Sequence, residues 1–173
     1  MAENIIYTRK HNPTDAEILS FFDLLCEPDQ LEWDYEERPS FVAMSAQERL
    51  AFYRTQRPGD DRNHGFWQIE GGRVVGMAGI DIFPETCRQH AATLGVGVAK
   101  AFQHQGLGYR LVVECIDKAR QLGLKRLEAD CFAENVAAVA LLRSSGFFEE
   151  GVRRGAVRKD GRLRDQRAFG LVL

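Results

Sequence analysis

The sequence predicts a mixed α/β fold in which a single sheet carries helices on its faces, and three observations support this. Two helix-start signals stand in the first third of the chain, Thr14 to Glu17 and Ser45 to Glu48, each a hydroxyl residue three positions before a glutamate. After residue 63 the pattern changes to short β-rich runs punctuated by Gly71-Gly72 and Lys159-Asp160-Gly161. Between those turns, strand-like and helix-like runs alternate from Thr93 to Gly146.

Taken in order, Ile18, Phe21, Phe22 and Leu25 follow Thr14 at helical intervals and predict a first helix of about three turns. The stretch from Glu27 to Ser40 contains two prolines and is expected to be irregular. A second helix is expected from Ser45 to about Gln56, where Arg57-Pro58-Gly59 breaks it. Phe66 to Ile69 and Val74 to Phe83 read as a hairpin around Gly71-Gly72, stopped by Pro84. Thr93 to Val98 is a further strand. Leu107, Leu111, Val112, Cys115, Ile116, Ala119 and Leu122 then trace one face of a helix that ends at Gly123. Arg126 to Phe132 returns to strand, and Asn135 caps a helix lasting to Ser145 and closed by Gly146. A second hairpin pairs Phe147 to Val152 or beyond with Asp165 to Val172.

A chain of 173 residues and 19.6 kDa suits one domain, residues 1 to 173, and is long enough to bury a hydrophobic core. With 45% hydrophobic and 28% charged residues and only 5 prolines, collagen-like, low-complexity and wholly disordered classes are excluded. No run approaches the roughly 20 apolar residues of a membrane helix, and Glu3 and Arg9 flank the first apolar run, unlike a signal peptide. A cytoplasmic protein is expected. Cys26, Cys87, Cys115 and Cys131 form no CxxC pair and no metal-ligand spacing, so they are read as reduced and mostly buried, with no metal site.

The net charge of −2 is unevenly divided: residues 1 to 61 hold 13 acidic and 6 basic residues, and the remainder is basic. From Asp15 to Glu37 there are nine carboxylates and no lysine or arginine. Such a run is either a solvated helical face or a field that favours cations.

The chemistry concentrates in Gln103-His104-Gln105-Gly106-Leu107-Gly108, between a strand and a helix start. Helix N-termini present unsatisfied N–H groups and the positive end of a dipole, and glycine lets backbone approach a phosphate. A turn that merely starts a helix explains two spaced glycines as well. A dinucleotide-binding turn, with Glu128 as its ribose acid, fails because Leu111 stands where the third glycine belongs.

Two spaced segments in the right order resemble the GNAT superfamily of N-acetyltransferases. Gln103, Gly106 and Gly108 match its acetyl-CoA motif of Gln or Arg, two residues, Gly, one residue, then Gly or Ala. Asn135 to Phe147 resembles its later Asn, Ala, Leu-Tyr, Gly-Phe helix. Glu150-Gly151, Asp160-Gly161 and Asp165 before a final apolar strand look like the branch of ribosomal-protein and amino-terminal alanine acetyltransferases. The resemblance covers Thr93 to Leu173 and, less fully, Phe66 to Phe83.

The resemblance implies a mostly antiparallel mixed sheet with a splayed central strand pair and flanking helices. Residues 1 to 61 would supply the acceptor-side helices, and 64 to 173 the sheet and the acetyl-CoA-binding core. Backbone amides of Gln105, Gly106, Leu107 and Gly108 would hold the CoA pyrophosphate, with Gln103 and His104 nearby and Asn135 on the pantetheine arm. For Asn135 a simple N-cap role is compatible with this, since one side chain both accepts and donates. The backbone N–H at Val98 would serve as the oxyanion donor.

An alkyl ammonium must lose a proton before it attacks a thioester, so a carboxylate, or water held by one, is expected. Asp130 is the first candidate because some members of the superfamily place a catalytic glutamate five residues before the asparagine. Its structural alternative is a strand-edge carboxylate paired with an arginine. Asp81 and Glu70 are the reserves. The superfamily's usual tyrosine acid is replaced by Leu142, and its alternative serine by Ala138. Ser144, Ser145 and Tyr109 are substitutes, though surface or packing roles explain each of them.

The expected activity is transfer of an acetyl group from acetyl-CoA, as co-substrate, to a primary amine by direct attack in a ternary complex. Acceptors in view are a small-molecule amine such as a polyamine or amino-sugar, or a peptide or protein N-terminus. The alternative is a non-catalytic acyl-CoA-binding or interaction domain that kept the loop and lost the acid. No membrane or nucleic-acid partner is expected: Asp160 and Asp165 interrupt the arginine-rich stretch from Arg153 to Arg167. Acetyl against longer acyl donors, and monomer against homodimer, are left open.

Overall fold

One seven-stranded sheet, in the order β1-β2-β3-β4-β5-β7-β6, runs through the protein. The structure is a computed structural model and describes residues 5–27, 38–56, 61–159 and 161–173, with the backbone alone for 38–40. Its elements are β1 (Ile5–Tyr7), α1 (Asp15–Cys26), α2 (Arg38–Ala43), α3 (Ala46–Gln56), β2 (Asn63–Glu70), β3 (Arg73–Ile82), β4 (Ala91–Val98), α4 (Leu107–Gln121), β5 (Arg126–Phe132), α5 (Val136–Ser144), β6 (Phe148–Lys159) and β7 (Arg162–Val172). β4 and β5 are parallel and the other neighbours antiparallel, which makes the sheet the mostly antiparallel mixed sheet that the resemblance implies.

Both helix-start signals form. Thr14 N–H donates to the Glu17 carboxylate at 2.7 Å while Glu17 N–H donates to Thr14 Oγ1 at 3.2 Å, and Ser45 and Glu48 repeat the exchange at 2.7 and 3.3 Å. Each exchange satisfies two donors that a bare helix end leaves open. Two elements differ from expectation. The short apolar run Ile5–Tyr7 becomes an edge strand against Phe66–Gln68, and α2 begins inside the stretch expected to be irregular, most of which lies outside the described residues.

One face of the sheet is covered by α4 and α5. Leu111, Val112, Cys115 and Ala119 of α4 are fully buried against Ala78, Ile80, Ala92, Leu127 and Ala129, which fixes the helix by its predicted apolar stripe. The approach is close at Gly76, where a Cβ would stand 2.9 Å from Leu107 Cδ2 and 3.0 Å from Leu111 Cδ1. Burial also pushes the Cys115 thiol pKa well above its ordinary value, and all four cysteines are unbridged.

α1 and α3 cover the opposite face at the β1-β2-β3 end. Phe21 stacks on Trp67 with ring centroids 4.9 Å apart, and Phe22, Phe41 and Phe52 meet edge to face. A bulge in β3 adds Val75 between Gly76, opposite Gln68, and Val74, opposite Ile69. Val74 N–H donates to Ser20 Oγ of α1 at 2.9 Å, so the buried serine ties the helix to the sheet.

Candidate active site

β4 and β5 lie side by side only from Ala91 opposite Arg126 to Thr93 opposite Glu128. Beyond that point each strand follows its outer neighbour. β4 stays with β3 as far as Val98 opposite Gly76, and β5 stays with β7 as far as Phe132 opposite Gln166. The strands therefore part, forming the splayed central pair that the resemblance implies.

The register also fixes which backbone groups face the opening. Phe83 N–H donates to Ala91 O at 3.2 Å and Ala99 N–H to Val75 O at 2.9 Å, so the odd-numbered residues of β4 bond toward β3. By the alternation of an antiparallel ladder, the N–H and C=O groups of Leu94, Val96 and Val98 point the other way, into the gap. A cavity of about 630 Å³ occupies it.

The loop predicted to bind a phosphate closes one end of this cavity. After Val98 the chain makes a short 3-10 turn, Lys100–Phe102, and reaches α4 through His104 at φ 58° and Gly106 at φ 76°. A left-handed histidine is strained relative to glycine, and such residues cluster at ligand clamps. The first N–H groups of α4 have no acceptor within the helix. At Gly108 a Cβ would come within 3.3 Å of Leu141 Cδ2 and 3.7 Å of Val98 Cγ2, so the glycine keeps a narrow channel between β4 and α5 open. Gln103, His104, Gly106, Leu107, Gly108 and Val98 all line the cavity. Gln105 is not among the lining residues, and its side chain bonds back to Ala101 O at 3.0 Å. The Gln103 side chain donates to Val98 O at 3.0 Å.

Asn135 caps α5 by accepting Ala138 N–H at 3.0 Å through its side-chain oxygen, and it also lines the cavity. Of the three candidate bases, Asp130 and Asp81 line the cavity and Glu70, at the far end of β2, does not. Asp130 lies 38% exposed and accepts a 2.8 Å hydrogen bond from Arg153, which also donates to Gln166 at 3.1 Å. Leu142 is 3% exposed, belongs to the core and also lines the cavity, as does Ala138. Tyr109 lines the cavity; Ser144 and Ser145 do not, and Ser144 donates to Leu141 O at 2.8 Å. Asn63, Thr93 and Gln166 complete the polar part of the wall, and no motif in the sequence singled them out.

The described carboxylates of the acidic run are occupied within the fold. Asp15 pairs with Arg54 at 2.6 Å and Asp23 with Arg49 at 3.0 Å; Glu17 belongs to the helix cap and Glu27 accepts Lys100 N–H at 3.2 Å. The run from Asp29 to Glu37 lies outside the described residues.

A splayed β4-β5 pair whose gap ends on a glycine loop and a helix start is the architecture of an acyl-CoA-dependent acetyltransferase fold. Residues 20–147 match the acetyltransferase (GNAT) family, to which this chain belongs. The N-alpha-acetyltransferase RimI of Mycobacterium tuberculosis is 39% identical over 99 residues, 57% of this chain and 61% of that protein. The [ribosomal protein bS18]-alanine N-acetyltransferase of Escherichia coli is 30% identical over 94 residues, again 61% of its length. The chain thus matches about three fifths of these relatives. The crystal structure of a ribosomal-protein-alanine N-acetyltransferase from Brucella melitensis superposes with a TM-score of 0.79 at 25% identity, covering 98% of this chain and 99% of that one. YncA of Salmonella typhimurium, solved with acetyl-CoA, shares the fold with a TM-score of 0.78 at 23% identity, covering 98% of this chain and 93% of that one. Among the described residues no helix is long and apolar enough to cross a membrane.

Proposed function

We propose that the protein transfers an acetyl group from acetyl-CoA to a primary amine, and the observation that carries this is the gap opened beyond Thr93 and Glu128 onto the start of α4. The cavity residues suit the co-substrate. The α4 N-terminus and the left-handed His104 and Gly106 offer amides to a pyrophosphate, and Gly108 leaves room for a chain to pass. The gap-facing backbone of Leu94 and Val96 supplies strand-like partners for the two amides of a pantetheine arm.

Val98 N–H, at the end of that row, is the proposed oxyanion donor, and such a donor contributes about 10²–10³-fold to the rate. Asp130, or water held by it, takes the proton of the acceptor ammonium. The amine nitrogen bonds to the carbonyl carbon and gives up its second proton to solvent, the carbon–sulfur bond breaks, and the electron pair leaves on the CoA sulfur. With Leu142 and Ala138 at the acid positions, the thiolate takes its proton from solvent; a thiol of pKa about 8.5 departs adequately without a donor.

The named relatives favour a peptide or protein N-terminus as acceptor. Asp81 at the cavity rim favours a cationic one, so the Michaelis constant for a basic peptide should rise with salt. The four unbridged cysteines accord with a cytoplasmic setting. A second reading, an acyl-CoA-binding domain without turnover, is favoured by the buried Leu142 and by the Asp130–Arg153 pair. Mass spectrometry of peptides, polyamines and amino-sugars incubated with acetyl-CoA and the protein tests the choice. Repeated acetylation of an amine supports the first reading, and tight CoA binding with every acceptor unmodified supports the second.

A further inference from the structure

We infer that Arg153 selects the acceptor, and that the acceptor carries a carboxylate close to its amine: the ammonium meets Asp130 and the carboxylate meets the open edge of the Arg153 guanidinium. The inference rests on the reading of the gap as the place where an amine attacks acetyl-CoA, and it narrows the class of amine.

Asp130 of β5 lies opposite Ala168 of β7, and Arg153 of β6 lies opposite Gln166 of β7. Residues directly opposite one another, and alternate residues along a strand, share one face of a sheet, so these four side chains stand on the same face. The small Ala168 leaves room for the long arginine to reach over β7 to Asp130 at 2.8 Å. Asp130 and Gln166 line the cavity, and Arg153, just outside the lining, touches both of them.

Both contacts use one nitrogen. Nη1 donates to Asp130 Oδ2 at 2.8 Å and to Gln166 Oε1 at 3.1 Å, and the Arg153 side chain is 55% exposed. Among the described residues Nε and Nη2 of Arg153 and Oδ1 of Asp130 have no partner. Nε and Nη2 form the side-on fork that takes both oxygens of a carboxylate. An ammonium can therefore bond to Oδ1 and a carboxylate to the fork while the ion pair stays intact. The nearby arginines of β7 are committed elsewhere, Arg164 to Glu134 and Arg167 to Glu149.

Charge favours the same acceptor. An ammonium drawn to Asp130 also comes close to the Arg153 guanidinium, and like charges brought together oppose binding. A carboxylate on the acceptor cancels that repulsion. Asp81, across the gap on β3, attracts the ammonium end, so a molecule with both charges is oriented from the acidic wall toward β6. Two kinds of acceptor offer this chemistry: a peptide that begins with an acidic residue, and a free α-amino acid.

The test compares kcat/KM within two matched pairs, a peptide beginning with Glu or with Gln, and free alanine or alaninamide. Amine basicity differs within the second pair, so the quantity read is the change in each carboxylate-to-amide ratio on Arg153→Gln, from which basicity cancels. The ratio of at least one pair should fall by about tenfold or more, with the amide member transferred as well as before or better. The pair that responds names the source of the carboxylate. Ratios unchanged in both pairs would overturn the inference and leave Arg153 as a holder of Asp130, since losing that role lowers both members alike. Acetylation confined to amines that carry no carboxylate would overturn it too. Should Arg153→Gln fail to fold, Arg153→Lys keeps the charge without the fork: a ratio below wild type supports the inference and an equal ratio overturns it. Wild type that acetylates no amine at all overturns the proposed function itself, a different failure.

Discussion

Thr93 of β4 and Glu128 of β5 are the last residues at which those two strands are neighbours, and the cavity opens directly beyond them. Both strands run on, each held by a partner on its outer side, so the gap is part of the sheet's register. Backbone groups that a continuous sheet would consume are turned instead toward a ligand-sized space.

The two glycines of the loop should respond differently to substitution. Gly108→Leu places bulk against Leu141 and Val98 in the channel and should weaken CoA binding by about tenfold or more, equivalent to about 1.4 kcal/mol. Gly106→Ala meets no atom within 4 Å of its Cβ but strains a left-handed backbone, so it should cost about 1–2 kcal/mol of stability and leave affinity nearly intact. Calorimetry and urea unfolding of both variants check this.

Asp130→Asn should lower turnover by about 10²-fold with CoA affinity unchanged. Arg153→Gln removes the guanidinium that competes with an incoming ammonium for the carboxylate, and should lower the Michaelis constant for the amine. If Asp130→Asn keeps full turnover, Asp130 is the strand-edge ion pair that its contact with Arg153 describes, and Asp81 becomes the base to examine.

Much of the fold was readable in sequence because local signals agreed with tertiary ones. Thr14 and Ser45 form their caps, and the apolar stripe from Leu107 to Ala119 is the face α4 buries. Tertiary pairing decided the rest. Ile5–Tyr7 is too short to read as a strand until Phe66–Gln68 lies beside it. The partner of Asp130, Arg153, comes from β6, with β7 lying between β6 and β5. The left-handed His104 carries no compositional mark, and the engagement of Gln103 by Val98 depends on where β4 stops.

His64 should make stability depend on pH above the carboxylate range. It is 4% exposed, bonded to Tyr7 Oη at 2.6 Å and to Asp61 O at 2.9 Å. Burial, then the nearby Arg9 charge, lowers its pKa below the ordinary 6.5. The unfolded chain therefore takes up the proton first. The stability due to the neutral ring is complete above pH 6.5 and is lost as pH falls through the folded-state pKa. Glu17 and Glu150, both lowered from 4.5, contribute losses only below that value. Urea unfolding from about pH 7.5 to about pH 5 should show stability falling in wild type and less steeply in His64→Gln. Parallel slopes would contradict it.

Gly76→Ala should destabilise by about 1–3 kcal/mol through overpacking, because its Cβ would stand within 3.0 Å of Leu107 and Leu111, both anchored in the core. The disturbance falls on the first turn of α4, so CoA affinity should drop with stability. Thermal unfolding with and without CoA checks it: a variant as stable as wild type would mean that α4 shifts without cost.

The central claim, that the gap between β4 and β5 holds an acyl donor for attack by an amine, is tested most directly by acetylation of peptide N-termini in steady state. Intact mass of the acceptor and release of CoA thiol would be followed together. The account predicts one acetyl group gained per thiol released, over many turnovers, and loss of both signals in Gly108→Leu. Thiol release without acetylated acceptor, or acetylation unaffected by Gly108→Leu, would contradict it.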